Sequence, residues 1–208
     1  MKVIAINGSP RKDSNSLQIL QKMAEELTTE KIDVEIIDVG NQTIRGCIAC
    51  GYCFSSEQNL CVIKNDLVNE TILKLRKVDG IIISSPTYYA SIAGTMKSFL
   101  DRVFFTSSNY FKYKVGASIA TVRRAGGVDV VHQLNNYFQL AKMIVTPTQY
   151  WSAIYGMSQG EVLQDDEGLQ TATQAARDMA WLLKVVEAGK KSFPLPEPEE
   201  RAFMNFIR

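Results

Sequence analysis

Gly8-Ser9-Pro10-Arg11-Lys12-Asp13-Ser14-Asn15-Ser16 is a small, polar, basic loop set directly behind the apolar run Val3–Ile6. Such a loop suits an anion. Gly8 permits a tight turn. Backbone N–H groups then converge at the N-terminus of the next helix, whose partial positive charge favours a phosphate. Arg11 can add a forked charged donor, and Ser9, Ser14, Asn15 and Ser16 can add neutral ones. The loop matches neither G-x-x-x-x-G-K-[ST] nor G-x-G-x-x-G, which argues against a nucleoside-triphosphate loop and a standard dinucleotide fold. Taken alone, it is equally well an ordinary capped strand–turn–helix connection.

Two further loops carry complementary chemistry. Pro86, Thr87, Tyr88, Tyr89 and Ala90 follow a strand-like run. They offer a rigid exit, hydroxyl and backbone partners, and aromatic area, which suits a planar heterocycle that stacks on its face and hydrogen-bonds at its edges. The plainer alternative is that the tyrosines cover the sheet end. Arg123-Arg124-Ala125-Gly126-Gly127 is a glycine loop that leads into another helix. Its backbone N–H groups can approach the same ring from the far side. Arg123 and Arg124 can meet a ring oxygen, meet the phosphates of a second, diffusible nucleotide, or remain solvated charges.

Other reactive types are sparse. His132 is the only histidine. It sits in an expected helix and reads as a surface or packing residue, so no nucleophilic triad is evident. Asp165, Asp166 and Glu167 precede the last helix and suit its N-terminus. The segment Gln149–Gly156 beyond the last strand can supply aromatics to an outer wall of the pocket, the alternative being interface or core packing, which suits Trp151 better, and Trp181 reads as core. All four cysteines fall between Cys47 and Cys61, a poor framework for stapling 208 residues with disulfides.

The elements that position these loops alternate in type. Strands are expected at Val3–Ile6, Val34–Val39, Gly80–Ser85, Val115–Val122 and Met143–Pro147. Helices are expected at Ser14–Thr28, Asn65–Lys77, Ala93–Phe105, Val128–Ala141 and Gly168–Gly189. Strand–helix alternation implies right-handed crossovers and a parallel sheet. The expected architecture is an α/β three-layer sandwich with a five-stranded parallel sheet in the flavodoxin-like order 2-1-3-4-5. In that order a ligand sits beyond the C-terminal ends of strands 1 and 3. This rule brings the first loop and the tyrosine loop together.

Residues 1–191 read as one domain, with a cysteine-containing insert at 40–63. Residues 192–208 read as an arm that packs on the body or on a neighbouring subunit, because Phe203, Met204, Phe206 and Ile207 are too apolar for a solvated tail. The formal net charge of +1, with dispersed basic residues, points away from nucleic-acid and anionic-membrane partners. The apolar runs are too short for a membrane span or a signal peptide, so a cytoplasmic location is expected.

With these loops in order, the chain resembles the NADPH-dependent FMN reductase family of flavodoxin-like proteins. The resemblance rests on Gly8-Ser9-Pro10-Arg11 with Asn15-Ser16, on Asp79–Ile83 running into Ser85-Pro86-Thr87-Tyr88, and on Lys97–Arg102. It implies FMN held without a covalent bond. The phosphate would lie on Ser9, Arg11, Ser14, Asn15 and Ser16, the ring against Pro86–Ala90, and the Arg123–Gly127 loop nearby. It also implies homodimers or homotetramers that take hydride from NAD(P)H.

The insert Cys47-x2-Cys50-x2-Cys53-x7-Cys61 is similar to the cysteine motif of iron–sulfur flavoproteins. That similarity implies a [4Fe–4S] cluster on Cys47, Cys50, Cys53 and Cys61. Free or reversibly oxidised thiols and a Cys₄ zinc site stay open beside it. The leading expectation is an oxidoreductase that passes electrons from NAD(P)H through FMN to a quinone, flavin, nitro compound or other small acceptor. The alternatives are an electron carrier using FMN and a [4Fe–4S] cluster, and a non-catalytic flavin-binding redox sensor.

Overall fold

The computed structural model describes residues 1–197 and residue 199. Its first strand, β1 (Lys2–Asn7), is followed by α1 (Asn15–Thr29), β2 (Asp33–Asp38) and the cysteine insert with its short α2 (Tyr52–Ser55). Then come α3 (Val68–Leu75), β3 (Gly80–Tyr88), β4 (Ser91–Ile92), α4 (Gly94–Phe111) and β5 (Val115–Val122). α5 (Gly127–Leu140), β6 (Ile144–Val145), β7 (Ala153–Tyr155) and α6 (Asp166–Ser192) complete the chain.

The sheet order is β2-β1-β3-β5-β6, the expected arrangement. Alternation along each strand divides the core. Ile4, Ile6, Ile81 and Ile83 face α3, α4 and α5. Val3, Ala5 and Ile82 face α1 and α6. Both sheet faces are covered, which is why these strands read as continuous apolar runs.

Two details differ from expectation. The last lane is split: β6 pairs with Val115 and Gly116, and β7 resumes beside Ala120, Thr121 and Val122. Between them the chain leaves the sheet at Pro147, which has no N–H for the ladder. β3 runs past the sheet edge and turns back antiparallel as β4, pairing Thr87 with Ile92 and Tyr88 with Ser91.

Trp181 is not core. It is 63% exposed, outside the buried stripe of Ala172, Ala175, Ala176, Met179 and Leu183 on α6. Trp151 is also outside the core and stacks edge-on with Tyr150 at 4.8 Å between ring centroids. The arm's Phe203, Met204, Phe206 and Ile207 lie outside the described residues. No helix among the described residues is long and apolar enough to cross a membrane.

The acidic run lies at the N-terminus of α6 as expected, with Asp166 and Glu167 in the first turn and Asp165 as the cap. Asp165 Oδ1 accepts from Gly168 N at 2.9 Å and caps the helix, while Oδ2 accepts from Tyr155 N at 2.7 Å and ties it to β7. Asp165→Ala is expected to cost about 1–2 kcal/mol and to lower the melting temperature by roughly 2–8 °C. Thermal unfolding followed by circular dichroism checks this, and an unchanged midpoint would show that the cap is dispensable.

Candidate flavin site and cysteine cavity

The loop after β1 is built from its own short hydrogen bonds. Gly8 N donates to Ser84 O at 2.8 Å, which fastens the turn to β3. Ser9 N donates to Asn7 Oδ1 at 3.1 Å, and Asn7 Nδ2 donates to Asp38 Oδ1 at 2.7 Å, so buried Asn7 links the loop to the end of β2. Ser14 Oγ accepts from Leu17 N at 3.2 Å and caps α1. The helix therefore begins at the loop, with its free N–H groups turned toward whatever the loop holds.

Beside this loop opens a cleft of about 320 Å³. Ser9, Arg11, Lys12, Ser14, Asn15 and Ser16 line one side. Pro86, Thr87 and Tyr88 line a second side, and Thr121 with Arg123 a third. Gly156, Met157 and Gln159 close it. Arg11, Lys12 and Arg123 bring three cationic side chains, and no described carboxylate lines the cleft. An anion is favoured there by charge as well as by the helix terminus. The Thr87 hydroxyl oxygen is buried without a partner among the described residues. A buried hydroxyl is costly to leave unpaired, so a ligand atom there restores a lost hydrogen bond.

Tyr89, Ala90, Arg124, Gly126 and Gly127 are not on the lining. Tyr89 and Ala90 form the two-residue turn between β3 and β4, both with positive φ (51° and 55°), and the Tyr89 ring is fully exposed. This is the backbone of a tight hairpin turn without its usual glycine or asparagine. Gln133 on α5 holds it: Nε2 donates to Ala90 O at 3.2 Å, and Oε1 accepts from Ser91 Oγ at 2.8 Å. Gly126, at φ 84°, brings the β5 loop against this turn, where an added Cβ would meet Ala90 Cα at 2.9 Å. Gly126 thus packs the cleft's two walls together, and Gly127 packs against Val122 and Ala153. Arg124 is exposed.

Asn15 has a different setting from its neighbours. Its Nδ2 donates to Ser158 O at 3.0 Å, and its Oδ1 accepts from Gly160 N at 2.9 Å. The side chain clamps the segment that carries Met157 and Gln159 over the cleft. Glu161 Oε2 steadies the same segment by accepting from Met157 N and Ser158 N. Ser16 Oγ and Thr121 Oγ1 lie 2.6 Å apart and join α1 to β5.

Sequence reasoning missed Lys12, Thr121, Met157 and Gln159, and reached Gly156 only as the end of a candidate wall segment. Gly156, Met157 and Gln159 follow β7, at the C-terminal end of a lane expected to finish at Pro147. Reading the split lane would have placed them by the same switch-point rule.

The four cysteines also come together, at a separate place. All four are free, and all four line one small cavity of about 20 Å³ with Ile48, Arg102 and Phe105. Cys47 and Cys50 are exposed, Cys53 is buried, and Cys61 is intermediate. Burial pushes the Cys53 thiol up. Its own backbone partly offsets this, and Cys61, Cys47 and Cys50 add to the rise.

The long spacer before Cys61 is well anchored. Arg76 donates to Gln58 O and Asn59 O at 2.8 Å, and Asn59 Nδ2 donates to Cys53 O at 3.1 Å. Asn69 pairs with Cys61 as a strand neighbour would, accepting from its N–H and donating to its C=O, both at 2.9 Å. Among the described residues, no three His, Cys, Asp or Glu side chains are grouped as the ligands of a metal ion. The thiols are spread around the cavity wall.

The chain is 30% identical over 195 residues to an iron-sulfur flavoprotein of Methanocaldococcus jannaschii, covering 90% of this chain and 100% of the relative. It is 28% identical over 194 residues to an iron-sulfur flavoprotein of Methanosarcina thermophila, covering 91% and 99%. Among solved structures, RosB with a bound 8-demethyl-8-formylriboflavin-5'-phosphate intermediate superposes with a TM-score of 0.73 at 15% identity, over 100% of this chain and 94% of that one, which shows a shared fold. The family model described as NADPH-dependent FMN reductase matches residues 1–157, a span that holds β1 to β7, the cysteine insert and nearly the whole cleft lining. By that match the chain belongs to the NADPH-dependent FMN reductase family, a group of FMN-binding oxidoreductases with the flavodoxin-like fold.

Proposed function

We propose that this protein is an oxidoreductase that holds FMN in the cleft and passes electrons from NAD(P)H to a quinone, flavin or other small acceptor. The observation that carries this reading is the cleft itself: three cationic side chains, no described carboxylate, a capped helix N-terminus and an unpartnered buried hydroxyl at one switch point. Bound FMN supplies the acceptance and release of electrons.

The chain's own residues bind and orient. The α1 N-terminus with Ser9, Ser14 and Ser16 receives the phosphate, and Arg11 and Lys12 balance its charge. Asn15 contributes its backbone N–H, because its side chain is spent on Ser158 and Gly160. Pro86 and Tyr88 border the ring, and the Thr87 hydroxyl meets its polar edge. Arg123 lies across the cleft as a cation for a reduced ring or a nucleotide phosphate.

The visible spectrum of anaerobically purified protein, before and after NADPH, tests this reading. Flavin bands that bleach with NADPH are expected. Failure to retain FMN after reconstitution would overturn it. Arg11→Ala is expected to weaken FMN binding roughly 10–150-fold, the worth of a hydrogen bond to a charged group. Equal flavin content in that variant would remove Arg11 from the phosphate site.

A second reading adds a [4Fe–4S] cluster on Cys47, Cys50, Cys53 and Cys61, making the protein a carrier of single electrons. Its support is the four thiols on one cavity and the full-length likeness to iron-sulfur flavoproteins. The donor set is all sulfur, the ligand chemistry such clusters take. Ile48, Tyr52, Phe54 and Phe105 are exposed around this cavity. An apolar patch of that kind fits the homodimer or homotetramer expected from the sequence. Size-exclusion chromatography with light scattering checks this, and a monomer at micromolar concentration would refute it.

A further inference from the structure

Arg102 is the largest fully buried side chain of the described residues. Its guanidinium has five N–H donors, and each has a partner. Nη1 donates to Asp66 Oδ2 and to Arg45 O, and Nη2 donates to Asp66 Oδ1 at 3.1 Å and to Ile63 O at 2.9 Å. The fifth donor, Nε, points to Cys61 Sγ at 3.3 Å. Asp66 takes the two terminal nitrogens, so the carboxylate and the sulfur lie on different edges of the cation. The ion pair is therefore oriented, with its positive side toward the cysteine cavity.

A buried ion pair costs desolvation and is weak evidence for stability by itself. This one does more than join two elements. It ties α4 to both ends of the insert, through Arg45 O and Ile63 O, and places a fixed charge on one of four sulfurs. Adding one electron to a sulfur-ligated site, without a proton, makes it more negative by one charge. A cation held at a ligating sulfur favours that state, and a carboxylate behind the cation tempers the effect.

We propose that Arg102 is a positioning residue that raises the reduction potential of the four-cysteine site through its hydrogen bond to Cys61, with Asp66 as the counterweight. The proposal rests on the second reading above.

Its test is an anaerobic dithionite titration, followed by electron paramagnetic resonance, of wild-type, Arg102→Gln and Asp66→Asn proteins. Iron and labile sulfide are assayed in each. Removing the cation is expected to lower the ratio of reduced to oxidised site at fixed potential about tenfold, a fall of about 59 mV for one electron. Removing the carboxylate is expected to move the midpoint the other way. Opposite shifts support the proposal, since a merely structural role has no reason to produce them. Equal potentials, or shifts of the same sign, overturn it while leaving the cluster in place. Iron-free wild-type protein after reconstitution overturns the second reading, and this proposal with it. If Arg102→Gln fails to fold, Asp66→Asn, which keeps the cation, carries the test by its upward shift, and an unmoved midpoint is then the refuting result.

Discussion

Gly40→Ala is expected to cost about 2–4 kcal/mol of stability and to weaken FMN binding by about tenfold or more, because the new methyl has nowhere to go. Gly40 follows β2 and lies against the back of the phosphate loop. An added Cβ would sit 2.3 Å from the Ser9 carbonyl carbon and 2.4 Å from both the carbon and the oxygen of Gly8. These are backbone atoms, so no rotamer change relieves the clash. Either β2 moves from β1, losing the bonds from Val39 N and Gly40 N to Asn7 O, or the Gly8–Ser9 turn moves. The turn is the softer of the two, and under the proposed function it lies against the phosphate. Gly94→Ala is the control, since no atom lies within 4 Å of its Cβ position. FMN titration by fluorescence quenching and a thermal melt read both effects. Wild-type values for Gly40→Ala would show that the loop shifts freely and that its position does not matter for binding.

If the second reading holds, Cys53→Ser is expected to abolish iron and labile sulfide after anaerobic reconstitution, with FMN affinity within about twofold of wild type. Cys53 is the buried thiol of the four, inside α2, and its carbonyl is held by Asn59. A serine there offers an oxygen where the cavity presents sulfur, and thiolates are the ligands that hold such clusters. The flavin should not respond, because the cysteine cavity and the cleft share no lining residue. Colorimetric iron and sulfide assays, set beside the flavin spectrum, check both halves. Full iron retention would show that Cys53 is not a ligand. Loss of flavin together with iron would show that the two sites are coupled through the fold.

The sheet was legible because its chemistry is local and repetitive. Ile81-Ile82-Ile83 is apolar at every position and Val115–Val122 is buried throughout, with Ser118 and Thr121 its polar residues, as suits strands covered on both faces, and the cap at Ser14 lies where a polar residue meets an amphipathic stripe. The helix expected from Asn65 instead begins at Val68, where Asp66 Oδ1 accepts from Val68 N at 3.2 Å, and the same carboxylate pairs with Arg102 across the fold. No local pattern announces that pairing.

Along the chain alone, residue types and spacing determined the flavodoxin-like order, the anion loop at Ser9–Ser16 and its meeting with Pro86–Tyr88. Each of these follows from periodicity, turn chemistry and the handedness of crossovers. Only the tertiary structure decided which side chains of those loops reach the cleft. Asn15 is occupied with Ser158 and Gly160, Tyr89 turns to solvent on a strained hairpin, and Gly126 packs one wall on the other. It also decided that Met157 and Gln159 close the cleft, and that Arg102 seats itself on Cys61. These pairs lie far apart in sequence, up to 145 residues for Asn15 and Gly160. Their partners are chosen by packing and by the need to pair every buried polar group, which is settled only when the whole chain is folded.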